Sequence, residues 1–328
     1  SARVHESCRS AVVPMSHGRA VAAMVLVTLL WSIAGVVTRQ LEAARSFEVT
    51  FWRSAFNAMA LTAALLVWRR GALWTRLRTG GQALWFSGLC WMVMYTNFMV
   101  AITLTTVATV LVTMSIAPLV TAVFARVFLK HRQPLRTWLA IALATVGIAW
   151  MFAQQALGGG GSLLGMLVAL GVPLAGAANW TLLQHIQHRP PGGADSTAPP
   201  EPETPDMLPA VLIGAVLSAA ITLPLAWPLQ ASSHDLRWLG LLGVFQLALP
   251  CLLAVQVARV LPAPEVSLLA LLEVIFGVLL AWLGAGEAPG QAALVGGALV
   301  IGALVGNELL GLHARQAPKA RAPAASDV

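Results

Sequence analysis

Runs of about 20 apolar residues recur along the whole chain, separated by short polar or basic segments. A helix needs about 20 mostly apolar residues to cross a bilayer, so this pattern predicts an all-α, polytopic membrane protein with about ten transmembrane helices. The predicted spans lie approximately at 20–38, 47–68, 82–102, 106–129, 138–152, 163–185, 207–227, 238–260, 266–283 and 292–310.

A run of four glycines at 158–161 predicts a flexible link at the midpoint of the apolar region. It divides the chain into 20–157 and 158–310, each with five predicted helices. An odd number of spans makes the second half enter the membrane from the opposite face, so the halves are predicted to be inverted repeats. When 106–150 is aligned without a gap on 262–306, Ala117 falls on Glu273 and Pro118 on Val274.

Three segments lack apolar runs and are predicted to be solvated or disordered. They are the lead at 1–19, the proline- and acid-rich loop at 186–206, and the cytoplasmic tail at 311–328. Met15, just before the first span, is a candidate for the true start of the protein.

Composition and charge agree with a membrane protein. The 328 residues are 58% hydrophobic and 10% charged, whereas a soluble domain carries about a quarter charged residues. Despite the net charge of +7, nucleic-acid binding is disfavoured because the basic residues cluster between spans rather than on one helix face. Most lie on the side of the two termini, which predicts cytoplasmic termini in an inner membrane.

The sequence offers no pattern for a cofactor, a metal or catalysis. Cys8, Cys90 and Cys251 are isolated, which disfavours disulfides and a zinc site. The P-loop, HExxH and GxSxG patterns are absent from the sequence, so neither ATP-driven nor hydrolytic chemistry is indicated.

Glu273 is the most informative single residue, because a charge at the centre of a membrane helix costs about 2.5–3.5 kcal/mol. One interpretation is a protonatable group whose charge state is coupled to substrate binding. The other is a neutral acid held by hydrogen bonds inside the bundle.

Arg53 is the second candidate, either as a ligand for an anionic group or as a side chain that reaches the interface. Asn57 lies one turn later on the same helix face. Further polar or aromatic groups lie deep in other spans, where each bridges helices or several together line a cavity. They are Trp31, Ser32, Tyr95, Asn97, Asn179, Trp180, Gln246 and Gln256.

Pro118 and a GxxxG pattern concern helix geometry. Pro118 is predicted to kink the fourth span, as a gating hinge or as a packing kink. Gly302 and Gly306 suit close packing within the bundle, the preferred interpretation, or a homodimer face.

Four segments in this order resemble the EamA-type branch of the drug/metabolite transporter superfamily: LLWSIAGVVTRQL, FWRSAFNAMAL, SIAPLVTAVFARVFLKHRQP and VSLLALLEVIFGVLLAWLGAGE. The resemblance implies functional positions at Trp31, Arg53 and Glu273, with Gly286 and Glu287 ending the ninth helix. Two residues depart from the family pattern. Val274 stands where proline is expected, which predicts a straighter ninth helix, and His131 stands where glutamate is expected.

The resemblance implies a secondary transporter that moves a small metabolite across the inner membrane by alternating access, with export as the expected direction. Its partners would be the lipid bilayer, the metabolite and, if transport is coupled, protons. Uptake or antiport of an amino acid or an anion, a channel, and a non-transporting assembly or scaffold protein remain alternatives. An intramembrane enzyme is disfavoured because no catalytic pair is visible.

Overall fold

The computed structural model describes residues 15–38, 40–44, 46–69, 73–105, 107–130, 132–157, 162–187, 206–285 and 291–316, and these residues form helices and turns without a strand. In the first half the helices are α1 (His17–Ser32), α2 (Ala34–Thr38), α3 (Ser46–Arg69), α4 (Leu73–Thr79), α5 (Gly81–Leu104), α6 (Val107–Met114), α7 (Ala117–Phe128) and α8 (Leu135–Leu157). In the second half they are α9 (Leu163–Gln187), α10 (Leu208–Ala226), α11 (Ser233–Leu241), a π-helix (Leu242–Ala248), α12 (Leu249–Val257), α13 (Ala263–Ala270), α14 (Leu272–Ala285) and α15 (Gln291–Gln316).

Seven helical segments are long and apolar enough to span a membrane, which confirms a polytopic all-α protein. They are His17–Thr38, Gly81–Ala101, Leu163–Ile186, Leu208–Ala226, Ser233–Val257, Ala263–Leu280 and Leu294–Gly311. Shorter apolar helices, Ala117–Phe128 and Leu135–Trp150, occupy two more of the predicted spans.

Several predicted spans are interrupted rather than continuous. The first breaks at Ile33, the fourth at Ser115 and Ile116, and the ninth at Leu271. The eighth has a π-helical middle, Leu242–Ala248. The expectation that Val274 straightens the ninth helix was wrong. The break there needs no proline, because Leu271 and Val274 each donate to a carbonyl three residues earlier and tighten the turn.

The helices extend into segments that were predicted to be solvated. Ser16 caps α1, so the helix begins inside the predicted lead, and α15 continues into the predicted tail. Asp206, at the end of the predicted loop, lies between two arginines. The glycine run, most of the 186–206 loop, and the predicted positions Cys8, His131, Gly286 and Glu287 lie outside the described residues.

Close helix contacts depend on glycine. A Cβ atom at Gly88 of α5 would lie 2.5 Å from the Ile213 side chain of α10, so these helices pack with their backbones close together. By contrast, a Cβ at Gly302 or Gly306 would meet nothing within 4 Å. The preference for packing of this GxxxG within the bundle was therefore wrong, because the pattern faces away from the other described helices.

At one end of the bundle, two carboxylates hold loops of the opposite half. Asp235, fully buried at the start of α11, accepts hydrogen bonds from the backbone N–H groups of Glu42, Ala43 and Ala44 at 2.8–3.0 Å. Glu48, near the start of α3, accepts from those of Gln230 and Ala231 at 2.8 and 2.7 Å. We call these two carboxylates and their loop partners the carboxylate clasp.

The other end of the bundle is held by ionic and polar contacts. Asp206 lies 3.1 Å from Arg76 of α4 and 3.9 Å from Arg259, which follows α12. The Gln184 side chain accepts from the backbone N–H of Ala263 at 2.8 Å. Helix α3, about 36 Å long at 1.5 Å per residue, separates the carboxylate clasp from these contacts.

Candidate functional site: a central cavity

A cavity lies inside the bundle, between α1, α3, α5, α9, the π-helix, α12 and α14. It consists of two adjoining spaces of about 120 Å³ and about 110 Å³. Both spaces are lined by Trp31, Met94, Phe98, Trp180 and Glu273, so they form two parts of one site.

Glu273 lines both parts of the cavity. It is the second residue of α14, directly after the break at Leu271, and its side chain is partly accessible because it faces open space. An acid in the first turn of a helix interacts favourably with the helix dipole. The break thus places this carboxyl at a helix start that faces the cavity.

Arg53 brings a cation to the same cavity from α3. Its side chain is 3% exposed, and its Nη2 donates to the backbone carbonyl of Tyr95 over 3.4 Å. The Nε atom has no hydrogen-bond partner among the described residues. Arg53 and Glu273 interact electrostatically, yet these two described side chains form no ion pair within 4.0 Å. The cavity therefore holds a carboxyl and a guanidinium that are not paired with each other. The guanidinium has an N–H donor without a partner among the described residues.

Aromatic rings form much of the cavity wall. Trp91 and Trp180 meet edge-to-face with centroids 5.6 Å apart, and Trp91 lies 5.6 Å from Tyr95. Trp31 and Phe98 complete the aromatic lining. Such rings offer a rigid, largely apolar surface, and their faces attract cations.

Several buried polar atoms around the cavity lack hydrogen-bond partners among the described residues. They are the Tyr95 hydroxyl, both amide atoms of Asn57 and Oε1 of Gln246. The Tyr95 hydroxyl faces Asn57 and the Cys251 thiol without a hydrogen bond of normal geometry to either. Gln246 is fixed by donation from Nε2 to the Trp31 carbonyl over 3.4 Å. Buried groups in this state are where a ligand or water completes the hydrogen bonding.

The predicted site residues separate into two groups. Glu273, Arg53, Trp31 and Gln246 line the cavity, and Asn57 lies beside the lining residue Tyr95.

Three other predicted residues do not line it. Asn97 donates to the Val168 carbonyl over 3.1 Å, and the Asn179 side chain accepts from the Ser87 hydroxyl over 2.6 Å, so both bridge α5 and α9. Pro118 is the second residue of α7, buried just after the break in the fourth span.

Sequence reasoning missed Trp91 and Cys251 as lining residues, and it missed the carboxylate clasp. Trp91 and Tyr95 are four residues apart, a spacing that places both on one helix face and could have indicated a shared surface. Ser232 and Asp235 form a capping box, whose S-x-x-D pattern also marks a helix start in the sequence.

Comparison with known proteins agrees with this architecture. The model of the EamA-like transporter family matches residues 18–153 and 202–307, well over half of the chain. A solved structure titled "Crystal structure of protein" superposes with a TM-score of 0.70 at 18% identity, covering 91% of this chain and 99% of that one, which shows a shared fold. No curated protein shows significant sequence similarity to the chain. The chain therefore belongs to the EamA-like transporter family and is a multi-pass membrane protein.

Proposed function

We propose that this protein is a secondary transporter of the inner membrane that exports a small metabolite by alternating access. The central cavity is its binding site. The observation that carries the proposal is the presence of Arg53 and Glu273 in one aromatic-walled cavity without an ion pair between them. Placing an ionisable group at membrane depth costs free energy, and such groups are retained mainly where they act on a substrate or an ion.

The lining suggests the kind of metabolite. Arg53 can bind a carboxylate or another anionic group, and Glu273 with the tryptophans can bind an ammonium group. A small anionic or zwitterionic metabolite with an apolar portion would use all of these groups. An amino acid is one member of that class.

The helix breaks support the proposed inverted repeats of five helices. In the alignment of 106–150 on 262–306, Ser115 falls on Leu271. Ser115 is part of the turn between α6 and α7, and Leu271 is the turn between α13 and α14. In this alignment the fourth and ninth spans are therefore interrupted at matching positions.

The packing of helices supports the same proposal. Two pairs join elements that are equivalent in the proposed repeats, namely α3 with α10 and α8 with α15. Other pairs occur in matched sets, such as α5 on α9 with α12 on α1, and α7 on α9 with α14 on α1. This pattern is expected of a pseudo-twofold axis that exchanges the halves.

Alternating access requires contacts at each end of the bundle that can separate in turn. The carboxylate clasp holds one end, and the Asp206 contacts hold the other. The carboxylate clasp and the Arg76–Asp206 ion pair each connect the two halves of the chain, so rocking of one half against the other would break one while keeping the other.

The test is transport by purified protein in proteoliposomes, using a panel of radiolabelled anionic and zwitterionic metabolites under an imposed proton gradient. Glu273→Gln keeps the shape of the side chain and removes its charge. We expect it to abolish proton-driven accumulation while leaving counterflow exchange, because exchange needs no net proton movement. The matched control is Glu265→Gln, which neutralises an acid at the far end of the same span.

Each outcome favours one of the alternatives. Unchanged proton-driven accumulation in Glu273→Gln would refute a coupling role for this carboxyl. If the wild-type protein moves no solute of the panel, a scaffold function is favoured. Flux that never saturates would favour a channel.

A further inference from the structure

A groove of about 760 Å³ lies on the outside of the bundle, between α3, α4, α5 and α10. Its walls are apolar side chains that point away from the protein interior. Leu66, Trp85 and Val216 are each about half exposed, and Leu212 lies deeper. Since α5 and α10 belong to membrane-spanning segments, this opening faces the hydrocarbon of the bilayer.

The floor of the groove is fixed by backbone packing. Ile213 lines the groove, and its side chain lies against Gly88 so closely that no larger residue fits there. On the same interface, a Cβ atom at Gly214 would lie 2.4 Å from Cβ of Trp91. The groove is therefore preformed, which lowers the entropy cost of filling it.

Helix α4 closes one end of the groove and brings a positive charge to it. The helix is anchored by the buried Leu73 and by the Arg76–Asp206 ion pair. Arg78 lines the groove with its guanidinium 5.4 Å above the Trp74 ring, and both side chains are exposed. Among the described lining residues, Arg78 alone carries a charge.

The polarity of the groove matches one class of ligand. Helix α4 follows the end of a helix that is long enough to cross the bilayer, so Trp74 and Arg78 lie at the level of the lipid headgroups. We propose that the groove binds an anionic phospholipid, with an acyl chain along α3 and α10 and the phosphate at Arg78. A tryptophan and a basic residue at this depth are typical of the contact with an anionic headgroup. The proposal is independent of the transported metabolite.

The test uses purified protein in detergent, titrated with dioleoylphosphatidylglycerol or, in parallel, with dioleoylphosphatidylcholine. Native mass spectrometry counts the retained lipids, and the thermal unfolding midpoint reports stabilisation. We expect phosphatidylglycerol to be retained more strongly than phosphatidylcholine and to raise the midpoint further. Arg78→Gln should weaken phosphatidylglycerol retention about fivefold, the effect of one cation near an anionic headgroup. Arg126→Gln, which neutralises another exposed arginine near a helix end, should leave retention unchanged.

Two further experiments test whether binding requires the groove and the acyl chain. Val216→Trp fills the groove and should reduce retention of both lipids, because it blocks the acyl chain. Glycerol 3-phosphate alone should give no stabilisation. Stabilisation by glycerol 3-phosphate equal to that by the lipid would overturn the proposal. Equal retention of the two lipids by the wild-type protein, or unchanged phosphatidylglycerol retention in Arg78→Gln, would overturn it as well.

Discussion

Replacing Asp235 with alanine removes the acceptor that joins the start of α11 to the loop of the other half. The three short bonds, from Glu42, Ala43 and Ala44, measure 2.8–3.0 Å, and a longer one from Ser232 measures 3.4 Å. A carboxylate is the acceptor that suits four converging N–H donors, so each bond is charge-assisted.

The size of the effect follows from these bonds. A hydrogen bond to a charged group contributes about 1.5–3 kcal/mol, so three short bonds at the low end represent about 4.5 kcal/mol. Part of this is recovered because Glu42 and Ala43 are exposed and their amides can bind water once the carboxylate is gone. We therefore expect Asp235→Ala to lower the free energy of unfolding by about 2–3 kcal/mol.

The measurement is unfolding by sodium dodecyl sulfate from dodecylmaltoside micelles, followed by tryptophan fluorescence, with the free energy taken from its linear dependence on denaturant. Glu42→Ala is the matched control. Its carboxylate is on the same loop with a side chain 70% exposed and only a 3.9 Å contact to His234, so its loss should change stability by less than about 0.5 kcal/mol. Equal stability of the two variants would refute the reasoning.

The same variant tests whether the carboxylate clasp keeps the cavity closed. Cys251 lines the cavity and is 1% exposed, so its reaction with a maleimide reports access to that space. In a background that carries Cys8→Ala and Cys90→Ala, we expect Asp235→Ala to speed labelling of Cys251 and Glu42→Ala to leave the rate unchanged. If neither variant changes the rate at which Cys251 is labelled, the carboxylate clasp does not control access to the cavity.

Three further substitutions test the cavity and the packing. Tyr95→Phe removes a buried hydroxyl without a hydrogen-bond partner, so the thermal midpoint of the empty protein should stay the same or rise, while KM for the transported metabolite increases. Gly88→Ala should destabilise the protein by about 1–3 kcal/mol because the new methyl group overlaps Ile213. Gly302 has open space around it, so Gly302→Ala should leave the free energy of unfolding unchanged or raise it by up to about 1 kcal/mol through helix propensity. Equal unfolding free energies of the two alanine variants would contradict the packing argument.

The helices could be predicted from the sequence because bilayer thickness sets the length of an apolar run. The rotation of each helix about its axis could not. In a soluble helix a polar face marks the outside, but lipid-facing residues such as Leu66 are as apolar as buried ones. Hence Asn97 and Asn179, which bridge helices, were not distinguishable in sequence from Gln246, which lines the cavity.

The carboxylate clasp was missed for a different reason. Asp235 lies in a short polar stretch, SSHD, that looks like an ordinary exposed loop. Its burial results from a loop nearly 200 positions earlier in the chain, at Glu42 to Ala44. A local pattern can indicate the helix cap, yet it carries no information on which distant amides the same carboxylate will bind.

The interruption at Leu271 and the charge at Glu273 explain each other. Irregular backbone at membrane depth is tolerated where it is buried in protein or lines a cavity, and an acid there is tolerated where the surroundings can stabilise its charge. The break supplies a helix start for the acid, and the cavity supplies open space and the Arg53 guanidinium. In the proposed repeat alignment the break at Ser115 matches the break at Leu271. It lines the same cavity but is followed by Ala117 and Pro118 instead of an acid. Of these two breaks, only the one at Leu271 is followed by a charged residue, which makes Glu273 the residue whose neutralisation tests the proposed mechanism most directly.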